Sequence, residues 1–351
     1  MAALMVLILH VGMTFLQAPG IKAQGDGLLP FLEMVDLGRI GITIFFLISG
    51  FVICKSITGP KRLASKQFLI KRFYRLFPLF WFSLFCGVIF IWYLSGQRVT
   101  PMLVAANLTM VPAFFGQDFI IGLYWTLETE LIFYALVVLL FFIGALKKPT
   151  VLVLLTLLLY GLLWLLNASP FFDVTLPHWR STPYHLSLMI YGTIIRYWYD
   201  QQQAEKTSVH FSSILMGTFI IQTVTLLMVP LVVFYRFGFD PQTEFVSDAI
   251  AYILGILFFF AGLYFWKNPT PLFTYLGKIS YSIYLMHPVV FYTVWQLIQN
   301  NPALDHWHIS VYISICLLLS IGVSHLTYTF IERPFNQRGH RSAKVLATEK
   351  N

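Results

Sequence analysis

Windows of about twenty apolar residues recur from one end of this chain to the other, the length a helix needs to cross the hydrocarbon core of a bilayer. Soluble domains carry about 25% charged residues. Here 11% of residues are charged and 58% hydrophobic, with a mean hydropathy of +0.75. No stretch has the polar surface of a water-soluble domain. The apolar runs are continuous and Leu-rich, without the two-residue alternation of a membrane barrel. The expected fold is all-α: a polytopic integral membrane protein of about ten transmembrane helices. They are expected near 1–17, 38–57, 77–95, 120–144, 150–167, 185–200, 211–235, 246–265, 278–298 and 308–331. The first, sixth and ninth windows are the least distinct, being short or interrupted by polar residues. The expected division is a membrane domain over 1–335 and a short cytoplasmic tail over 336–351.

Charge fixes the expected orientation. With the N-terminus inside and the helices alternating, only Lys22, Arg39, Arg98, Arg180 and Arg236 of the 23 Lys and Arg fall outside. That bias places both termini in the cytoplasm. The net charge of +8 is then a topology signal and gives no reason to expect nucleic acid. Membrane lipids are the expected surroundings, and inner basic residues can also hold anionic headgroups or a phosphorylated cofactor. Cys54, Cys86 and Cys316 lie in expected helices without metal-ligand spacing and read as small apolar side chains; no metal is expected. Asn107-Leu-Thr109 and Asn167-Ala-Ser169 match the glycosylation sequon on the outer side.

His10 stands inside the first apolar run. An imidazole in hydrocarbon needs hydrogen-bond partners or water, so an intramembrane histidine is a functional candidate by default. Four further segments carry possible chemistry. In Gly41-Ile-Thr-Ile-Phe-Phe-Leu-Ile-Ser-Gly50, small residues allow close helix approach, and Ser49 reads as a packing or a substrate contact. In Lys71-Arg72-Phe-Tyr-Arg75, the two arginines share a helical face flanked by Lys71. Paired guanidinium forks suit phosphates, although inner-face anchoring also explains them. In Trp125-Thr-Leu-Glu128-Thr-Glu130-Leu-Ile-Phe-Tyr134, the carboxylates lie on different helix faces, whereas Glu130 and Tyr134 share one. Interfacial anchoring by Trp125 and Tyr134 is the plainer reading of that segment. In Ser280-Tyr-Ser-Ile-Tyr284-Leu-Met-His287-Pro288, Ser280, Tyr284 and His287 form a polar seam, and Pro288 leaves the Tyr284 carbonyl without its helical donor. His287 and His325, taken alone, read best as satisfied buried histidines.

Taken in order, His10, GITIFFLISGF, KRFYRLFPLFW, WTLETELIFY, LGKISYSIYLMHP and Ile331-Glu332-Arg333-Pro334-Phe335 resemble the membrane acyltransferase 3 family over roughly residues 1–336. The resemblance implies a multi-pass protein of the bacterial cytoplasmic (inner) membrane. It implies an O-acyltransferase moving an acetyl group from cytoplasmic acetyl-CoA to a hydroxyl of a carbohydrate acceptor, free or lipid-linked. It aligns His10 with the family's catalytic histidine, Arg72 and Arg75 with its CoA-phosphate arginines, and Glu130 with its glutamate, so that His10 and Glu130 are the expected catalytic residues. His10 would act as general base; Lys71 would support the phosphate site. Trp125, Trp179 and Tyr184 are candidates for sugar stacking. A basic residue that the family carries eleven positions before the histidine would fall just before Met1, so a start further upstream is expected. The tail after Arg333 is too short for the extracellular domain that some members carry. A carrier or flippase of lipid-linked sugars or small molecules is the alternative, although the two halves have no duplicated pattern.

Overall fold

The computed structural model describes residues 1–25, 27–93, 96, 98–168, 177–203, 209–238 and 244–348, and no strand occurs among them. Helix α1 (Ala2–Phe15) leads into short α2 (Pro19–Gly25) and α3 (Leu29–Met34). Asp36 caps α4 (Leu37–Ile53), its side chain accepting from Arg39 N at 2.7 Å. α5 (Lys61–Cys86) runs on through a π-helical stretch, Gly87–Tyr93. Thr100 caps α6 (Pro101–Leu108), and a loop of tight turns reaches α7 (Trp125–Phe142). Then come α8 (Pro149–Ala168), α9 (Pro177–Gln203), α10 (Val209–Phe237) and α11 (Glu244–Phe265). The chain closes with α12 (Pro271–Lys278), α13 (Ser280–Gln299), α14 (Ile309–Thr327) and α15 (Arg333–Thr348).

A helix occupies each expected window. Six helical stretches among the described residues are long and apolar enough to cross a membrane: Lys61–Tyr93, Gly122–Phe142, Pro149–Leu166, Ser213–Phe237, Phe245–Phe265 and Ile309–Leu346. α8 turns Leu154, Leu158, Leu162 and Leu165 outward in one stripe, the surface that lipid covers. α1, α4, α9 and α13 are not among the six. α1 and α4 are apolar but shorter. α9 and α13 carry His185, Ser187, Thr193, Ser282 and His287, all buried within the bundle. Protein replaces lipid around these segments, so their polar atoms meet partners instead of hydrocarbon.

α4 is the hub, packed against α1, α7, α9 and α11. A Cβ on Gly50 would stand 1.8 Å from the Met189 carbonyl oxygen, and one on Gly192 2.2 Å from that of Leu47. Gly41 gives the same clearance to the Ala2 carbonyl of α1. Thr193 Oγ1 donates to the Gly50 carbonyl at 3.0 Å across the α4–α9 contact. At one end of α4, Arg39 forms a bidentate pair with Asp248 of α11, at 3.0 and 2.9 Å. α15 lies along the start of α5, with Gln67 Nε2 donating to the Ala343 carbonyl at 2.8 Å.

Two apolar cores meet at α13. Tyr281, Leu285 and Val289, spaced by four, join the core of α4, α5, α7 and α9. Ile279, Ile283 and Phe291 join the core built with α1 and α14. His287 falls on this second stripe, between Ile283 and Phe291, so the helical repeat turns it toward α1.

The structure corrects three expectations. Asn107 of the first sequon is fully buried. Its amide donates to the Leu103 and Asp118 carbonyls at 2.9 and 2.8 Å and accepts from Ile120 N at 3.0 Å, so it pins a loop and offers no glycosylation site. The second sequon ends at Ser169, outside the described residues. His325 is exposed, one position past buried Ser324, and meets Tyr275 OH through Nδ1 at 2.5 Å. Tyr184 is buried among Tyr160, His185 and Tyr252, which removes it from any sugar-stacking surface.

Candidate active site

Two cavities lie end to end between α1, α4, α7 and α13. The first, of about 390 Å³, is lined by Ser49, Arg72, Arg75, Glu130 and Tyr134 among others. The second, of about 240 Å³, is lined by His10 and Trp125 with a mainly apolar wall. α1 and α13 pass from one to the other in sequence order. Along α1, Ala2 and Ala3 line the first, Val6 both, and His10 and Thr14 the second. Along α13, Ser280 and Tyr281 line the first, Tyr284 both, and Pro288 and Phe291 the second. Val6, Ile42 and Tyr284 are the residues the two linings share.

The first chamber is built around cations. Arg72 lies under the rings of Phe68 and Tyr134, its guanidinium carbon 5.2 and 5.4 Å from their centroids. Its Nε is buried and has no hydrogen-bond partner among the described residues. Such a donor is costly unless something accepts from it. Arg75, one helical turn on, is exposed and lines the same cavity. Glu130 is buried, accepting from Tyr134 OH and, at 3.4 Å, from Ser49 Oγ. Ser49 therefore serves packing and a hydrogen bond between α4 and α7 together. Glu128 points elsewhere, accepting from Ala113 N at 3.4 Å.

The second chamber is built around an imidazole pair. His10 Nδ1 lies 3.1 Å from His287 Nε2, and the rings stack at 5.4 Å and 18°. His287 Nδ1 lies 3.0 Å from the Ile283 carbonyl oxygen. A carbonyl only accepts, so His287 carries its proton on Nδ1. For neutral rings its Nε2 then accepts, His10 donates through Nδ1, and Nε2 of His10 keeps its lone pair. His287 itself is fully buried behind His10.

The expected residues thus separate into two groups. Ser49, Arg72, Arg75, Glu130 and Tyr134 gather in the first chamber, His10 and Trp125 in the second, and Tyr284 stands between them. Lys71 is not in either lining. The polar partner of His10 is His287 rather than Glu130, because α1 packs against α13 while Glu130 faces α4 and α5. Trp179 packs on Phe114, away from both linings. The Arg39–Asp248 clamp and the Asn107 loop pin leave no local signature, because their partners are distant in the chain or backbone atoms.

A family model described as an acyltransferase domain matches residues 1–328. The chain belongs to the membrane acyltransferase 3 family. No curated protein and no solved structure matches it. Membership in this acyltransferase family supports a membrane O-acyltransferase and weighs against the carrier reading. The match takes in both chambers and each candidate residue; residues 329–351 lie beyond it. An acyltransferase must bring a donor and an acceptor to one point, and two adjacent chambers that share three lining residues suit that need.

Proposed function

We propose that this membrane acyltransferase moves an acetyl group from acetyl-CoA to a hydroxyl of a cell-envelope carbohydrate or exopolysaccharide, with His10 as general base. The observation that carries the reading is the order of the chambers: a guanidinium with a buried, unpartnered Nε lines one, a base with a free lone pair lines the other, and three side chains are common to both. Arg72 and Arg75 would take the CoA phosphates, where planar forks match phosphate oxygens. The first chamber then receives the pantetheine arm, with the thioester directed at Val6, Ile42 and Tyr284. The acceptor hydroxyl enters the second chamber, where Trp125 and Tyr292 offer aromatic faces to a sugar.

In the transfer, the acceptor oxygen attacks the thioester carbonyl carbon while His10 Nε2 takes the hydroxyl proton. The new C–O bond forms, the C–S bond breaks, and the CoA thiolate receives the proton from His10. The His287 acceptor holds the His10 Nδ1–H throughout, which fixes the ring's tautomer. Glu130, tied to Tyr134 and Ser49, balances the arginines of the donor chamber. Its role is positioning, at a distance from the hydroxyl chemistry. The positive-inside bias supports donor entry from the cytoplasm of a bacterial inner membrane, with ten crossings and both termini inside.

Mass spectrometry of envelope and secreted glycans tests this. A strain lacking the gene should lose an acetyl group from one sugar. The native gene should restore it, and a His10→Ala copy, present at native level, should not. Full restoration by that copy would remove His10 from the chemistry.

A further inference from the structure

We propose that Val6, Ile42 and Tyr284 form an acyl-length filter that passes a two-carbon acyl group to His10 and turns back longer linear chains. This rests on the acyl-transfer reading above and assigns its donor specificity to named side chains. The two chambers share these three residues in their linings, so these side chains stand between the arginine side and His10. They come from three helices, α1, α4 and α13.

None of the three is free to swing aside. Val6 and Ile42 are β-branched and on helices, where one χ1 rotamer dominates. The Tyr284 hydroxyl is held by Thr126 Oγ1 at 2.7 Å and by the Leu123 carbonyl at 3.2 Å. Its ring lies parallel to Phe45, centroids 6.1 Å apart at 4°. Rotating the ring would break both hydrogen bonds and this stack. Val6 is also one helical turn before His10, so the opening and the base are on one face of α1. A second limit acts beyond the opening. A chain that passed it would fill the 240 Å³ chamber that the acceptor hydroxyl must also enter.

The test is titration of the purified full-length protein in lipid nanodiscs with CoA, acetyl-CoA, butyryl-CoA and hexanoyl-CoA. CoA itself reads the phosphate site alone. The native protein should bind CoA and acetyl-CoA, and lose about 10-fold in affinity for each of the first methylenes beyond acetyl. Tyr284→Ala should bring hexanoyl-CoA close to acetyl-CoA. Ile42→Ala should do the same from the opposite wall while leaving the Tyr284 hydrogen bonds intact, which covers a Tyr284 variant that does not fold. Equal native affinity for all chain lengths, or an unchanged profile in a folded Ile42→Ala protein, would overturn the filter and leave the acyl-transfer reading standing. Failure of the native protein to bind CoA or any thioester would overturn both.

Discussion

A buried imidazole has two nitrogens to satisfy, and the His10–His287 pair satisfies three of its four through one chain of partners ending on the Ile283 carbonyl. The fourth, His10 Nε2, is the one left to accept a proton. His287→Phe keeps an aromatic ring but strands the His10 Nδ1–H. Steady-state kinetics should then record a fall in kcat of about 10²–10⁴-fold, with KM for acetyl-CoA unchanged because the arginines are untouched. His287→Gln, whose amide oxygen can accept from Nδ1, should recover part of that loss. Equal losses in the two variants would reduce His287 to a space-filling role. His10 was legible in the sequence because it is the lone strongly polar group in its run. Its partner was not, since 277 residues separate the pair. The polar seam and Pro288 set His287 apart from His325, but nothing local pairs it with His10, and the helical repeat turns His287 inward and His325 out.

At the scale of the helix, close approach depends on glycines whose neighbours are backbone atoms that cannot move aside. Gly50→Ala places a methyl group on the Met189 carbonyl, forcing α4 and α9 apart. Overpacking of this kind costs about 1–3 kcal/mol. Gly161 of α8 has no neighbour within 4 Å, so Gly161→Ala should be neutral or stabilising by up to about 1 kcal/mol from helix propensity. Thermal unfolding in detergent measures both. A native midpoint for Gly50→Ala would contradict the α4–α9 packing. The small residues of α4 were readable from sequence as a packing face, but which helix would meet them was not. Hydropathy reads contact with lipid, so it marks α8 and α10 clearly and α9 and α13 poorly. The windows faintest in the sequence belong to α1, α9 and α13, two of which carry the site. Their polar residues weaken the apolar signal for the same reason that they build a cavity.

For the whole molecule, the two chambers lie where its two apolar cores meet. Arg72 and His10 stand on α5 and α1, helices that build different cores, and α13 packs on both. The sequence resemblance identified the parts and their order, while their division between two chambers needed the fold. The measurement that bears most directly on the account follows acetyl label from radiolabelled acetyl-CoA to an envelope glycan fraction, using purified protein in nanodiscs. The native protein should transfer label. His10→Ala should unfold at the native midpoint, bind acetyl-CoA with native affinity and transfer none. Transfer by the folded His10→Ala protein at the native rate would contradict the assignment of His10 as the base.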